Sequence, residues 1–180
     1  MRYIRVTEVL QSYMDFSQIP EGVLFFATER GILVHQICAG IAKGLWPPSI
    51  PEYAAGYVKS FQDWFDAQVK EVFLVEERLY DNVYFLTGQL DLLLKTKTEG
   101  VVVVDLKTPA HSYKTWSGQL AAYLHLARTK TIYSPIKKAG SLQLHPRGGT
   151  AKMKWYEEHK ADWAMYLNKL SADRYFSEKE

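Results

Sequence analysis

The chain has almost no cysteine: Cys38 is the only one among 180 residues. A single thiol excludes an internal disulfide framework and a zinc ribbon. Lying in the apolar run beside His35, it reads as a small buried hydrophobe. Long apolar runs are missing too. None reaches the roughly 18 residues that a membrane helix needs, and Met1-Arg2-Tyr3-Ile4-Arg5 lacks the apolar core of a signal peptide. The expectation is a cytoplasmic protein with no membrane partner. Charge of one sign is also scarce, with a formal net charge of only +2. That is too little to establish a nucleic-acid partner. Basic residues do gather from Lys107 to Lys154, a bias that suits a polyanion and equally fits scattered surface lysines. No repeat and no linker interrupts the chain, so residues 1–180 read as one domain, long enough for a sizeable core.

Periodicity then places the elements. Val6 to Tyr13 reads as a short helix with Thr7 as its cap. A long helix starts near Pro20, since proline suits a first turn, and runs to about Lys43, where Gly44-Leu45-Trp46-Pro47-Pro48 breaks it. Gly31 inside it costs about 1 kcal/mol against alanine, which predicts a close packing contact. Tyr53, Ala54, Tyr57, Val58, Phe61, Trp64 and Phe65 recur at helical spacing over Pro51–Val69. Strands are expected at about 71–80, 83–95 and 100–107, followed by a helix around Gln119 and a last strand at Leu142–His145. A closing helix covers about 155–170. This order gives an α/β fold: a mixed central β-sheet flanked by α-helices, with a helical part to about residue 70 and a core over about 71–146.

The chemistry concentrates around one hairpin. Asp105 and Lys107 close the run Val101–Val104, and the period of two in a strand turns both to one side of the sheet. Asp91 arrives on the preceding strand, and the polar Lys95–Gly100 connects the two. Two carboxylates and an ammonium at the end of a buried hairpin are costly to desolvate without compensation. A divalent metal on the aspartates, with the lysine facing a phosphate or a water, supplies it. That points to phosphodiester chemistry. Taken alone, Asp105-Leu106-Lys107 also fits a solvated salt bridge where a sheet meets water.

Three further signals flank this hairpin. Gln119 and Tyr123 lie four apart on one helix and share a face. Read singly, they are a surface amide and a half-buried aromatic. His35 sits among apolar neighbours, where a hydrogen-bonded core histidine is the plainer reading. Val72–Leu79 looks like a strand that carries Glu76 and Glu77 where its apolar pattern ends.

In order, the signals are His35, Glu76, Gly88-x-x-Asp91, Asp105-x-Lys107 and Gln119-x-x-x-Tyr123. This order resembles the RecB-like branch of the PD-(D/E)XK nuclease superfamily, which includes phage recombination exonucleases and CRISPR-associated RecB-type nucleases. Val6-Thr7-Glu8-Val9-Leu10 and Arg30-Gly31-x-x-x-His35 look like phage-encoded members of that branch. Relatives that hold an iron–sulfur cluster need four cysteines, and this chain departs from them.

The resemblance implies a restriction-endonuclease-like core and a nuclease that leaves 5′-phosphate and 3′-hydroxyl ends. Asp91 and Asp105 offer hard oxygens suited to Mg²⁺ or Mn²⁺. The resemblance adds the backbone carbonyl of Leu106 and the imidazole of His35 as metal ligands. Lys107 would orient the attacking water, and Glu76 would stand near the site, with Glu77 as a competitor that strand parity does not eliminate. Gln119 and Tyr123 would hold the substrate phosphate or the lysine. The implied partner is DNA, as duplex ends or single strand, with a phage single-strand annealing protein and an oligomeric assembly compatible with the resemblance. Phage origin would put the protein in the host cytoplasm. Three function classes stand: a metal-dependent exonuclease, a structure- or sequence-selective endonuclease on the same scaffold, and a catalytically silent DNA-binding module.

Overall fold

Runs of valine and leucine build the sheet, and the strand Leu86–Thr96 (β3) organises it. In the computed structural model, which describes residues 2–47, 49–109, 111–133, 135–157 and 159–177, β3 takes the long antiparallel strand Val69–Asp81 (β2) along one edge. Its other edge is shared. The two-residue strand Ile4–Arg5 (β1) pairs in parallel with Leu86 and Thr87, and Gly100–Lys107 (β4) pairs antiparallel with Leu92 to Thr96. Residues 88–91 of β3 therefore lie between two partners, where the sheet forks. Ile136–Gln143 (β5) runs parallel to β4, and Lys152–Tyr156 (β6) closes the far edge antiparallel to β5.

Two helical layers cover the sheet. Val6–Leu10 (α1), Thr115–Lys130 (α4) and His159–Ser177 (α5) pack on one face, with Leu120, Leu124, Tyr166 and Leu170 against Leu86, Leu90, Leu93 and Val103. Glu21–Ala42 (α2) and Glu52–Gln68 (α3) cover the other, with Val34, Cys38, Tyr57 and Phe61 against Leu92, Leu94, Val102, Val104 and Leu106. Cys38 is a buried apolar contact, as read from sequence. Leu90 and Leu92 share parity in the chain yet face opposite layers, so the alternation of β3 reverses at Asp91. The parallel β4–α4–β5 unit places α4 over the fork.

Several sequence expectations are corrected. The closing helix begins at His159, not Trp155, because Lys152–Tyr156 pairs with β5 as an edge strand. The last expected strand starts earlier, at Ile136, and ends at Gln143. Thr7 lies inside α1 and caps nothing; the cap position is Arg5, where β1 leads directly into the helix. Gly31 has no tight neighbour, since a Cβ there would stand 3.4 Å from Thr108 Oγ1, an ordinary contact. Gly44 lies in the turn after α2 with φ +75, as a helix stop requires, while Pro48 of the predicted break lies outside the described residues. Among the described residues no helix is long and apolar enough to cross a membrane.

Candidate metal centre and catalytic cleft

The site occupies the fork between β3 and β4. Their ladder stops at Leu92 opposite Val104, while β4 continues beside β5 as far as Lys107. Past the fork, the Asp91 carboxylate takes over from the ladder, and Leu106 N–H donates to its Oδ2 at 2.7 Å. Buried backbone donors are nearly always satisfied, and here a side chain does it. Asp91 is thereby held by the backbone of the Asp105–Lys107 segment.

From the opposite layer α2 contributes His35. Val34 and Cys38 bury the sheet-facing stripe of that helix, and His35, at its margin, meets Asp91 with Nδ1 3.4 Å from Oδ1. Burial alone would depress the imidazole, but the charge and hydrogen bond of Asp91, with Asp105 and Glu76 adding to it, raise its pKa to about 9. Burial likewise opposes ionisation of Asp91, yet His35, the Leu106 N–H and Lys107 together hold its pKa below the ordinary carboxylate value. The imidazole is thus a close, charge-coupled neighbour of the carboxylate.

Glu76 completes this cluster. Ligand atoms of His35, Glu76 and Asp91 lie within 4.8 Å of one another. Ligand distances of about 2.0–2.6 Å allow one ion to touch all three. Strand parity could not separate Glu76 from Glu77 because the strand does not keep its parity there. Glu76 has φ +53, in the left-handed region that glutamate rarely enters. The turned backbone leaves Glu76 half-buried and Glu77 exposed. Gln89, two residues before Asp91, donates from Nε2 to Glu76 Oε2 at 2.6 Å and accepts from Arg78. Burial, reinforced by Asp91, raises the Glu76 pKa despite that bond.

The second half of the site is a cation network. Lys107 Nζ lies 2.6 Å from Asp105 Oδ2 and donates to Gln119 Oε1 at 2.9 Å. Gln119 Nε2 in turn donates to Tyr123 Oη at 3.2 Å and lies 3.5 Å from Asp105 Oδ1. The amide is thus oriented with its carbonyl toward the lysine. Of the two roles the sequence allowed for Gln119, holding the lysine is the one its contacts show. Lys107 Nζ also stands 5.2 Å from the Trp116 ring. Tyr123 reaches in because residue 88 is glycine: a Cβ there would meet Tyr123 Cε1 at 2.8 Å, Leu126 Cδ1 at 2.9 Å and Val6 Cγ2 at 3.0 Å. The close glycine contact belongs to Gly88, not Gly31.

Asp105 falls outside the three-residue ligand group because its carboxylate is turned to Lys107 and Gln119. Its Oδ2 is buried and accepts no well-formed hydrogen bond; the ammonium is its one close partner. Burial raises its pKa and outweighs the lysine, with the Asp91 charge adding to the rise. A buried, under-satisfied carboxylate oxygen beside a His–Glu–Asp cluster is the donor set a hard divalent cation requires. The residues present fit such an ion.

His35, Asp91, Asp105, Lys107, Gln119 and Tyr123 line a cleft of about 530 Å³, walled by α2 and by Tyr113 and Trp116 before and within α4, while Glu76 and Gln89 line, with His35, a neighbouring cavity of about 700 Å³. Sequence reasoning brought together His35, Asp91, Asp105, Lys107, Gln119 and Tyr123, and the fold juxtaposes all six. It missed Gln89 and Trp116. Both carried a signal: Gln89 shares a strand face with Asp91 by the period of two, and Trp116 shares a helix face with Gln119 at i, i+3.

A sequence profile described as the PD-(D/E)XK nuclease superfamily matches residues 27–179. No curated protein gives a match. Among solved structures, the alkaline exonuclease LHK-Exo from Laribacter hongkongensis aligns with a TM-score of 0.43 at 9% identity, over 98% of this chain and 92% of that one. With its mixed sheet, its helical layers and a profile match that spans most of its length, the chain belongs to the PD-(D/E)XK nuclease superfamily.

Proposed function

We propose that the chain is a metal-dependent DNA nuclease, an exonuclease that hydrolyses phosphodiester bonds to leave 5′-phosphate and 3′-hydroxyl ends. The observation that carries the reading is the juxtaposition of two groups of opposite character at one fork. One is the His35–Glu76–Asp91 cluster; the other is the Lys107 ammonium, fixed by Asp105 and Gln119. The choice of an exonuclease rests on the resemblance of Val6–Leu10 and Arg30–His35 to phage-encoded members.

His35, Glu76 and Asp91 would hold Mg²⁺ or Mn²⁺, with Asp105 and the carbonyl of Leu106 as further oxygen donors. Such an ion polarises a phosphate and acidifies a water. The chain's own groups do the rest. Lys107 is placed to hold the attacking water and to meet the charge that grows on the phosphorane oxygens. Gln119, itself hydrogen-bonded to Tyr123, accepts from the lysine and orients it, which reduces the reorganisation left at the moment of reaction.

Incubation of end-labelled linear DNA and covalently closed circular DNA with and without Mn²⁺ tests the reading. The expected result is metal-dependent loss of the linear label with the circle intact. Nicking or opening of the circle would replace the exonuclease with an endonuclease. No cleavage of either DNA with metal present would overturn the nuclease reading.

A further inference from the structure

A second, smaller cavity of about 170 Å³ lies beside the catalytic cleft and shares the wall residue Thr108 with it. Its other walls include Tyr57, His145, Thr150 and Lys152, and no carboxylate lines it. The chain around it is unusual in composition: no Asp or Glu occurs between Asp105 and Glu157. The sheet sets its distance from the chemistry. Lys107 is in register with Gln143, and Gln143 with Lys152, so the two lysines sit two strand spacings apart, about 10 Å.

The cavity wall is rigid where it needs to be. His145 N–H donates to Ser60 Oγ at 2.9 Å, and α3 approaches so closely that a Cβ on Gly56 would fall 1.9 Å from the carbonyl oxygen of Pro146. His145 Nδ1 accepts from the N–H groups of Arg147 and Gly149, both at 3.1 Å, which assigns the ring proton to Nε2 and makes it a donor. Arg30 lines the cleft, and its guanidinium lies over the rings of Phe26 and of Tyr57, a wall of the cavity, at 5.9 Å and 5.2 Å. Its Nε is buried without a hydrogen-bond acceptor, and no carboxylate pairs with it among the described residues. A guanidinium stacked on two rings and lacking an acceptor offers a planar donor fork to an anion.

We propose that this cavity is a phosphate subsite in which Thr108, His145 and Lys152, with Arg30 from the adjoining cleft, bind the phosphate next to the scissile one on the same DNA strand. The proposal rests on the nuclease reading above and extends it along the strand. No carboxylate lines the subsite, so it accepts the phosphate backbone and leaves base identity unread. Its role is to set the register of the strand against Lys107, one phosphate at a time.

A charge-deletion cycle tests it. A short single-stranded oligonucleotide carries one neutral methylphosphonate, moved through the linkages flanking the first one cleaved. For the unaltered protein, kcat/KM should fall at least tenfold at one flanking position. For Lys152→Gln, the same neutral linkage should cost less than threefold, because the charge has lost its partner. Equal losses in both proteins at every position would overturn the subsite. Binding of a fluorescent oligonucleotide in EDTA gives a second reading that needs no turnover. The slope of log affinity against log salt should shrink by about 0.7 in Lys152→Gln and in Arg30→Gln, one single-strand phosphate contact each, and Arg30→Lys should restore part of it. Unchanged slopes would also overturn the subsite. Cleavage with unchanged slopes defeats the subsite alone; altered slopes without cleavage under Mn²⁺ defeat the nuclease reading alone.

Discussion

Leu106 N–H donates to Asp91 Oδ2 at 2.7 Å across the fork where β3 and β4 part. One carboxylate therefore serves two elements: Oδ2 closes the backbone account of β4, and Oδ1 faces His35 on α2. The bond fixes the spacing of Asp91 and Asp105 without a continuous ladder between them. It also means that a proposed ligand and a structural hydrogen bond are lost together when this side chain is cut away.

That coupling separates two substitutions. Asp91→Ala should unfold more readily, since a buried N–H left without an acceptor costs about 1–3 kcal/mol. Asp91→Asn keeps an acceptor oxygen for Leu106, so it should melt close to the unaltered protein while binding Mn²⁺ at least tenfold more weakly by titration calorimetry. Unchanged Mn²⁺ affinity in Asp91→Asn would remove Asp91 from the ligand set.

If Asp105 and Lys107 act at the reacting phosphate as proposed, Asp105→Ala and Lys107→Ala should each lower turnover by at least about a hundredfold with the fold retained by circular dichroism. Gln119→Ala should lower kcat with little change in KM, as befits a residue that acts through Lys107. A rise in KM alone would move Gln119 from the lysine to the substrate.

Much of this was legible in the sequence, and the exceptions have physical reasons. Asp105 and Lys107 follow from an unbroken run of valines, so the period of two holds and predicts their contact. Gln119 and Tyr123 follow from an unbroken helix. Where the backbone departs from its period, parity could not decide between Glu76, the residue placed near the site, and Glu77. Glu76 turns inward through a positive φ that no propensity announces, and the alternation of β3 reverses at Asp91. β6 escaped because an edge strand with one solvated face, Lys152-Met153-Lys154-Trp155-Tyr156, looks polar enough to begin a helix. β1, with two residues, is too short for any pattern.

Gly88→Ala tests how the catalytic helix is seated. The added methyl would press on Tyr123, Leu126 and Val6 at 2.8–3.0 Å, and overpacking of this kind costs about 1–3 kcal/mol. The expected result is a lower melting temperature together with a loss of turnover, since Tyr123 supports Gln119. Gly31→Ala, whose Cβ meets only an ordinary contact, should melt no lower than the unaltered protein. The reverse ranking of the two variants would place the tight contact elsewhere.

The raised His35 pKa gives a dependence on pH with a definite sign. In the unfolded chain the imidazole titrates near 6.5; in the metal-free fold Asp91 holds its proton up to about 9. The stabilisation from this pair is fully present below about 6.5 and is lost as pH rises through about 9. A metal ion competes for the same lone pair, so binding must expel the proton. Mn²⁺ affinity should therefore climb as pH rises toward about 9 and level off above, with about one proton released per ion near neutrality. Calorimetric titration in two buffers of different ionisation enthalpy counts that proton. His35→Ala should abolish its release, weaken Mn²⁺ binding at high pH, and leave a folded protein whose rate recovers in part at raised metal concentration. If the unaltered protein binds Mn²⁺ at pH 7 with no proton released, His35 does not coordinate the ion and its contact with Asp91 is structural alone.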